Sequence, residues 1–385
     1  MSLFKFDYSM VGMLKSFLHL SWLFVARLTT EKLRWRKVRI SGYGVPRLYY
    51  GHDYIPDKNE LSGGAIIKFQ DLKERFPNNC RHANILYLVS SALPIFPEIM
   101  VREAKKNGVA FVLNQNGVAY PAWHGLGWEK TNRPMRNLLK LADYIIYQSD
   151  FSKVGADKFL GPCRVPFTVL HNPVDTDCFC PSKTRPSGMK ILLAGTHQHF
   201  YRIQTAMETL KLLLVDGRDA SLTIAGRYTW LDSEEECLNY SRQLAQKLGV
   251  FESVTLLGGY TQTEAIELFQ KHHVLLHTQY NDCCPRLVVE AMACGLPIVY
   301  SESGGLPELV GSEGGVGVPT VLDWERNHPP PSSDLAIAVK QVFSSFESYS
   351  KAARDRAVSR FDVKPWIAEH SAIFKEVIEK IYLSK

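Results

Sequence analysis

Residues 281–311 read NDCCPRLVVEAMACGLPIVYSESGGLPELVG, and this stretch decides the fold that the sequence predicts. An apolar run at residues 274–277 precedes it and a second run, residues 298–301, lies within it. The order is therefore strand, loop, helix, strand and glycine-rich loop. Pro285 is typical of a first helical turn, and Gly295 is typical of a C-terminal cap. The pattern predicts one unit of a parallel α/β sheet.

Two acidic residues bracket the predicted helix. Asp282 lies before the positive end of the helix dipole, and Glu290 lies on the body of the helix. Backbone N–H groups near Cys284 and Leu287 point out of that end, toward any phosphate group that lies there. The stretch therefore predicts an anion-binding site at the start of the helix.

The stretch resembles the signature of family 4 retaining glycosyltransferases, which have the GT-B fold. The resemblance rests on an acidic residue, a spacer of seven residues and Glu290, and then on AMACGLPIV and GGLPELV. The family ordinarily has two glutamates, and here the first is replaced by Asp282, which is one methylene shorter. The resemblance implies that Glu290 contacts the ribose hydroxyls of a sugar nucleotide and that Asp282 contacts the donor sugar beside the reacting carbon.

The length and composition suit a globular protein with two domains. The chain has 385 residues, 45% of them hydrophobic, which is enough for two cores. The formal charge of +6 fits an anionic substrate or an anionic membrane surface. The sequence has no recognised nucleic-acid motif and no long basic tract, so nucleic acid is not an expected partner.

The spacing of the cysteines indicates the redox state of the compartment, and the spacing of the histidines is informative about metal binding. The eight cysteines are scattered without a repeated Cys-x-x-Cys spacing, which favours a reducing compartment. His272 and His273 are adjacent and His197 and His199 alternate, but no carboxylate or thiol spacing completes a metal site. The first ten residues lack the features of a cleavable signal peptide. We therefore expect a cytoplasmic protein without a metal site.

The N-terminal segment, residues 1–36, is predicted to be an amphipathic and basic helix. Residues 9–28 carry one polar stripe on an otherwise apolar helix, and the charges within them argue against a membrane-spanning segment. Basic residues then surround Trp35, as expected near anionic headgroups. Two interpretations remain open: peripheral contact with a membrane, or a helix that packs on the N-terminal domain with a solvated basic tail.

Residues 37–182 alternate predicted strands and helices and form the expected N-terminal Rossmann-like acceptor domain. Gly63 and Gly64 precede a predicted helix at residues 65–76, with Ser62 as its candidate cap. Glycine lets the backbone approach a diphosphate closely, and the position is similar to the family's glycine-rich loop that meets the donor phosphates. The alternative is a plain turn and helix start. The predicted strands of this domain occupy residues 37–40, 83–91, 109–113 and 142–149.

A polar and aromatic loop follows the strand at residues 109–113. Loops in this position line the ligand cleft of open α/β sheets. In the family, a histidine near this strand end commonly contacts the donor sugar. Gln115 or Asn116 stands at that place here, so the resemblance makes His124, several residues later, the candidate. Its alternative role is a hydrogen-bonded loop histidine.

One of the two basic residues that the family uses to neutralise the donor diphosphate is absent from this sequence. In the family, the loop after the first strand of the second domain carries an arginine and then a lysine for this purpose. Thr196 or His197 stands where the arginine is expected, and Arg202 matches the lysine with one residue inserted. Arg286 or His199 would have to supply the missing charge. Alternatively, Arg202 is only a surface residue at a helix start.

The expected fold class is α/β with GT-B architecture: two doubly wound Rossmann-like domains that face a cleft. Residues 183–363 form the C-terminal Rossmann-like nucleotide-sugar donor domain. The resemblance places the nucleotide base at Tyr260, which could equally be a packing residue. Residues 364–385 are the C-terminal helix, which in the family crosses back to the N-terminal domain. The predicted strands of the donor domain occupy residues 190–194, 222–225, 254–257, 274–277 and 298–301.

The resemblance implies a retaining glycosyltransferase that moves a sugar from a nucleotide diphosphate sugar to an acceptor hydroxyl, without a metal or another cofactor. The apolar and basic N-terminus favours a lipid-linked or saccharide acceptor, in surface polysaccharide or glycolipid synthesis at the inner face of the membrane. Asp282 and His124 are the candidate catalytic residues. The candidate donor-binding residues are Gly63, Gly64, Arg202, Tyr260, Cys284, Arg286, Leu287 and Glu290.

Two other functions remain open. A nucleotide-sugar epimerase or a phosphorylase can share the GT-B fold. The other is a degenerate domain without catalytic activity, which binds either a nucleotide sugar or a partner transferase. This function would account for Asp282 in place of glutamate and for the absent arginine.

Overall fold

The computed structural model describes residues 10–38 and 44–383, with side chains described for residues 21–38 and 44–381. The predictions for the first ten residues and for the strand at residues 37–40 fall largely outside these ranges. The side chains of the predicted polar stripe fall outside them as well. Lys37 and Val38 are described and do not form a strand.

The first domain is built on a parallel sheet with the strand order β1-β2-β3-β4-β5. Its strands are β1 (Leu48–Tyr49), β2 (Ile85–Val89), β3 (Ala110–Gln115), β4 (Tyr144–Tyr147) and β5 (Phe167–Val169). The helices that precede or connect them are α1 (Met10–Arg36), α2 (Gly64–Lys73), α3 (Pro97–Lys106), α4 (Pro121–His124), α5 (Trp128–Leu139) and α6 (Asp150–Phe159).

Both faces of this sheet are covered, so its strands are apolar throughout. Successive side chains of a strand point to opposite faces. Leu86 and Leu88 pack in the layer that contains side chains of α1, α3, α5 and α6. Tyr87 faces the other layer, with Phe69 of α2. Continuous apolar runs are the expected pattern for parallel strands buried on both sides.

The second domain contains a parallel sheet with the order β11-β10-β9-β6-β7-β8. Its strands are β6 (Met189–Ala194), β7 (Ala220–Ala225), β8 (Val254–Leu257), β9 (Val274–His277), β10 (Ile298–Glu302) and β11 (Gly315–Pro319). Its helices are α7 (Tyr201–Val215), α8 (Glu234–Leu248), α9 (Gln262–Gln270), α10 (Arg286–Ala293), α11 (Leu306–Val310), α12 (Ser332–Ser344) and α13 (Phe346–Phe361). The order reverses between β6 and β9, which is the doubly wound arrangement with its ligand crevice at the reversal.

The last helix, α14 (Val363–Leu383), packs on the first domain although it follows the second in the chain. Phe374 and Ile378 share one buried cluster with Phe69 and Tyr87. Phe374 also meets the ring of Phe76 edge to face, with 5.3 Å between the centroids. The two domains are therefore joined by two chain crossings.

The described part of α1 packs partly on the first domain. Trp35 is fully buried and donates from Nε1 to Glu31, at 2.8 Å. The expectation that Trp35 lies near headgroups is therefore wrong. Val25 and Leu33 remain more than half exposed. Among the helices described, none is both long enough and apolar enough to cross a membrane.

The predicted α/β architecture is confirmed, and the strands that were missed have a common cause. β1 has two residues, β5 has three, and β11 begins Gly-Val-Gly. Such segments give no apolar run long enough to recognise. Gly315 is needed in β11 because a Cβ there would lie 1.9 Å from the carbonyl oxygen of Ile298.

Candidate functional site

A cleft of about 500 Å³ lies between the carboxyl ends of the two sheets. Nine of the ten predicted site residues line it, and His124 does not. The residues come from both domains, as expected where parallel strands of two facing sheets end at one crevice. The nine are Gly63, Gly64, Arg202, Tyr260, Asp282, Cys284, Arg286, Leu287 and Glu290.

Glycines end the strands of the second sheet at the cleft. Gly195 follows β6 and Gly226 follows β7, both with positive φ. A Cβ on Gly226 would lie 1.8 Å from the carbonyl oxygen of Gly195, and one on Gly195 would lie 2.9 Å from the Leu287 side chain. The small residues let the two loops and the start of α10 pack directly on each other, which leaves the space above them open for a ligand.

The loop before α10 is fixed by the glycine-rich turn after β10. Asn281 has a φ of 51°, a conformation that Asn tolerates better than most residues, and donates to the carbonyl oxygen of Asp323. Gly305 donates its N–H to the carbonyl oxygen of Asp282 at 2.8 Å. A Cβ on Gly304 would lie 2.3 Å from that same oxygen. The Gly-Gly pair of the signature therefore supports the loop that carries Asp282.

Asp282 is held by a histidine that the sequence did not single out. His277, at the end of β9, lies 3.2 Å from the Asp282 carboxylate through Nε2. Burial lowers the pKa of His277, and the carboxylate opposes that effect. The neutral ring therefore donates its Nε2–H to Asp282. The carboxylate keeps 28% of its surface exposed toward the cleft, so it remains accessible to a ligand.

Arg286 bridges two carboxylates from different domains. Its Nη1 lies 2.5 Å from Asp71 of α2, and its Nε lies 2.8 Å from Glu290, one turn along α10. All three side chains are less than a tenth exposed. Burial raises the pKa of Asp71 and of Glu290, and the guanidinium opposes the rise. Arg286 is thus neutralised by protein carboxylates, contrary to the expectation that it could replace the missing phosphate-binding charge.

Arg202 is buried, so the alternative of a surface residue is wrong. Its guanidinium donates to the carbonyl oxygens of Thr196 and Ala194, at 2.7 and 3.1 Å. Its Nε has no hydrogen-bond partner among the described residues. Burial lowers the pKa of Arg202. The side chain supports the loop after β6 and also lines the cleft.

Neither histidine of the loop after β6 supplies a charge at neutral pH. His199 stacks with Tyr201 and meets Trp123 edge to face, and burial lowers its pKa. His197 is buried against the carbonyl oxygen of Ala225, and burial lowers its pKa well below the usual value. The expectation that His199 could replace the missing arginine is therefore not supported.

The Gly63-Gly64 loop enters α2 at the cleft. Gly63 is the residue before the helix and has an extended conformation, with no side chain capping the helix. The expected Ser62 cap is wrong, because its hydroxyl instead lies 3.4 Å from Gln70 Nε2. No heavy atom outside the loop lies within 4 Å of a Cβ built on either glycine. The open backbone leaves room for a ligand to approach.

His124 lies away from the cleft, and its neighbour takes the inward position. His124 is exposed at the end of α4 and lies 2.8 Å from the Thr131 hydroxyl through Nε2. Trp123 lines the cleft instead. The sequence placed the loop correctly but not the side chain, because a four-residue helix turns adjacent residues to different sides.

Tyr260 and Cys284 combine lining and packing roles. Tyr260 is partly buried against the core of the second domain while it faces the cleft. Cys284 is 4% exposed, and its sulfur accepts the N–H of Asn172 at 3.4 Å. Burial raises the pKa of Cys284 to about 12, so it remains a neutral thiol. All eight cysteines are free.

Several cleft residues of the first domain were missed. Lys68 of α2 is 3% exposed and donates to Asn114 at 3.0 Å and to Gln148 at 3.1 Å. Asn116 and Asn172 lie on the same wall. These side chains follow different strands, and only the fold brings them together. In the described ranges, no group of three or more His, Cys, Asp or Glu side chains could hold a metal ion.

The sequence model of the family "Glycosyl transferases group 1" matches residues 183–326, which contain the second-domain wall of the cleft. The glycogen synthase of Mycobacterium tuberculosis H37Rv is 26% identical over 233 residues, 58% of this chain and 52% of that protein. A D-inositol 3-phosphate glycosyltransferase of Mycobacterium marinum is 37% identical over 68 residues, 18% of this chain and 15% of that protein. The chain thus spans about half the length of the glycogen synthases that it matches.

Solved structures extend the likeness to both domains. Anabaena HepE in complex with UDP and glucose superposes with a TM-score of 0.61 and 18% identity, over 76% of this chain and 78% of that chain. Sucrose-phosphate synthase of Thermosynechococcus elongatus gives a TM-score of 0.59 and 16% identity, over 82% and 77%. At these identities the superpositions establish the fold alone. The family match therefore covers the second domain, and the GT-B fold is shared across both domains.

Proposed function

We propose that the protein is a retaining glycosyltransferase that binds a nucleotide diphosphate sugar in the cleft and transfers the sugar to an acceptor hydroxyl without a metal. The observation that carries the proposal is the convergence on one cleft of the loop of Asp282, the start of α10 and the Gly63-Gly64 loop. HepE, which shares the fold, binds UDP, so a uridine nucleotide is the first ligand to test.

The chemistry requires the bond between the anomeric carbon and the diphosphate to break. Negative charge develops on the leaving diphosphate, and fixed donors near it lower the barrier. The N–H groups at the start of α10 and at the Gly63-Gly64 loop supply such donors. Asp282, oriented by His277, would hold a sugar hydroxyl beside the reacting carbon. Closure of the domains would exclude water and favour transfer over hydrolysis.

Glu290 is assigned to the ribose, and it can take this role without losing its present contact. Its Oε1 accepts from Arg286 at 2.8 Å, and a carboxylate has further lone pairs for hydroxyl donors. The ribose can therefore bind while the contact to Arg286 is kept. This arrangement would hold the nucleotide against both domains, because Arg286 also contacts Asp71.

We infer that the acceptor is lipid-linked or a saccharide and that the protein works at the cytoplasmic face of a membrane, in polysaccharide or glycolipid synthesis. The exposed Val25 and Leu33 of α1, with the basic Lys32 and Arg36, support this inference. Cosedimentation with vesicles of anionic and of neutral phospholipid tests it. Binding to anionic vesicles is expected, and equal recovery in the supernatant with and without vesicles would contradict it.

The test of the donor site is thermal unfolding with UDP, GDP and ADP and with their sugar conjugates. A ligand that binds the native state raises the melting temperature. We expect a shift with one nucleotide class, lost in Glu290→Ala and retained in Glu267→Ala, whose exposed carboxylate pairs with Lys271. With the same donor, Asp282→Ala should retain the nucleotide-induced shift and lose transfer. No shift with any nucleotide would refute the proposed donor site.

A non-catalytic GT-B domain is the second candidate function. The observations that favour it are Asp282 in place of a glutamate and the engagement of Arg286 and Glu290 with protein partners. On this alternative, nucleotide binding would be observed, but product formation would be absent with every acceptor and unchanged by Asp282→Ala.

A further inference from the structure

We propose that Lys68, in the first-domain wall of the cleft, binds an oxyanion of the donor substrate, and that the diphosphate supplies this oxyanion. The inference rests on the proposed function, because it assigns a residue to the same donor. The lysine replaces, from the opposite domain, the charge that the loop after β6 lacks.

The Lys68 ammonium keeps one N–H donor that is available to a ligand. Nζ of Lys68 donates to Asn114 Oδ1 and Gln148 Oε1, whereas an ammonium has three N–H donors. Both partners are neutral amides. Across the described ranges, no carboxylate lies within ion-pair distance of this Nζ. A buried cation without an anionic partner is costly, and a bound anion removes that cost.

A chain of hydrogen bonds fixes the orientation of the Asn114 amide, whose oxygen faces Lys68. The carbonyl oxygen of Trp366 can only accept, so Nδ1 of His370 is the donor at 3.0 Å. Burial lowers the pKa of His370 to about 3, so Nε2 is unprotonated and accepts from the Tyr87 hydroxyl at 3.2 Å. Tyr87 in turn accepts from Asn114 Nδ2 at 3.0 Å. The amide must therefore present its oxygen to Lys68.

Lys68 lies across from the loop that leads into α10. Gln148 Oε1 accepts from Lys68 Nζ at 3.1 Å and from Asn172 Nδ2 at 3.5 Å, and Asn172 Nδ2 also donates to the carbonyl oxygen of Cys284. The Lys68 ammonium accordingly opposes the rise that burial causes in the pKa of the Cys284 thiol. Cys284 lies just before the helix end where the phosphates are expected. The ammonium and the helix N-terminus therefore face the same region from opposite walls.

The other cations that line the cleft are less available. Arg286 is bound by two carboxylates, and Arg202 donates to two carbonyl oxygens. Arg227 is exposed at the rim and contacts the Thr196 hydroxyl at 3.4 Å. Arg202 also keeps one uncommitted donor, its Nε, but it lies in the second domain. Among the described cations that line the cleft from the first domain, Lys68 is buried, fixed by two amides and left with an uncommitted donor.

The test compares diphosphates with monophosphates. Affinities for UDP and UMP, GDP and GMP, and ADP and AMP are measured calorimetrically for wild type, Lys68→Met, Lys68→Arg and Lys73→Met. Lys73 is the control because it lies on α2 and pairs with Asp57 instead of facing the cleft. We expect Lys68→Met to weaken diphosphate binding about tenfold or more, with the monophosphate unchanged.

The pH dependence supplies a second readout that needs no variant. Burial lowers the pKa of Lys68 to about 8, so wild type should lose diphosphate affinity as the pH rises above that value. Lys68→Arg should retain its affinity there, because arginine stays protonated. A structural role for Lys68 would not produce this difference.

The outcomes separate the inference from the proposed function. No nucleotide binding by wild type would refute the proposed function itself. A wild-type diphosphate preference that persists in Lys68→Met would refute only the role of Lys68, as would an equal loss for diphosphate and monophosphate. If Lys68→Met weakens a uridine diphosphate uronate but not the matching glucose conjugate or UDP, the oxyanion is the sugar carboxylate, and the diphosphate assignment is wrong.

Discussion

Lys68 is also a source of instability at neutral pH. Its pKa is lowered by burial from 10.5 to about 8, so the folded state disfavours the charged form more than the unfolded state does. Below pH 8 the folded protein bears the full free-energy cost of the buried ammonium, and this cost decreases as the pH rises toward 10.5. Stability should therefore increase over this interval relative to a variant without the amine.

We predict that Lys68→Met stabilises the ligand-free protein at pH 7 by up to roughly 3 kcal/mol, less the loss of two hydrogen bonds. The advantage should decrease between pH 8 and 10. Denaturant unfolding at several pH values measures this difference in stability, with Lys73→Met as the control at a partly exposed position of the same helix. A destabilised Lys68→Met with no dependence on pH would show that packing and hydrogen bonds outweigh the buried charge.

Residue identities could be predicted from the sequence where a continuous motif carries them. Asp282 and Glu290 were found because they lie in one signature, and the structure places both at the cleft. Lys68 and His277 were not found, since their partners are distant in the chain or carry no pattern. Arg286 was expected to be free, and only the fold brings Asp71 to it.

At the level of elements, α2 and α10 are joined across the cleft by Arg286. Asp71 belongs to the first of these helices, and Glu290 and Arg286 belong to the second. The contact is buried, so it is screened little by salt. It links α10 to α2, the helix that follows the Gly63-Gly64 loop.

Asp71→Asn should destabilise the protein by roughly 2 kcal/mol, because it removes one charged partner of a buried guanidinium while Glu290 remains. The expected decrease in melting temperature is a few degrees for a protein of this size. Asp57→Asn is the matched control, since that carboxylate is 80% exposed and its pair should contribute little. Equal melting temperatures for the two variants would mean that the cross-domain contact contributes no stability.

The strands that the sequence predicted well are mostly apolar over four residues or more. β8 and β9, at residues 254–257 and 274–277, have the predicted bounds. Short strands were missed because two or three residues show no period. The turn after β10 was recognised, but its support of the loop that carries Asp282 was not. That support depends on the 2.8 Å hydrogen bond from Gly305 to the Asp282 carbonyl oxygen and on the close approach at Gly304, which no pattern reveals.

At the scale of the whole molecule, α14 completes the core of the first domain. It contributes Trp366, Ile373, Phe374, Val377 and Ile378 to the cluster that covers one face of the first sheet. Burial of a large apolar side chain contributes about 1.5–3 kcal/mol. Loss of five such side chains would therefore cost about as much as the whole stability of a typical domain.

A chain that ends after residue 362 should therefore have an unfolded or loosely packed first domain. Hydrogen exchange is the measurement: β1 and β2 should lose protection, while β9 and β10 retain it because their core lies within the second domain. A chain that lacks only residues 384–385 is the control. Full protection of β2 in the longer truncation would show that α14 is dispensable.

The return of α14 to the first domain sets an order of events during synthesis. The sheet of that domain leaves the ribosome first, but one of its faces, with Phe69 and Tyr87, stays uncovered until residues 366–378 have been translated. A nascent chain with exposed aromatic surface is a target for chaperones and for aggregation. The half of the protein that is made first is thus the half that is finished last.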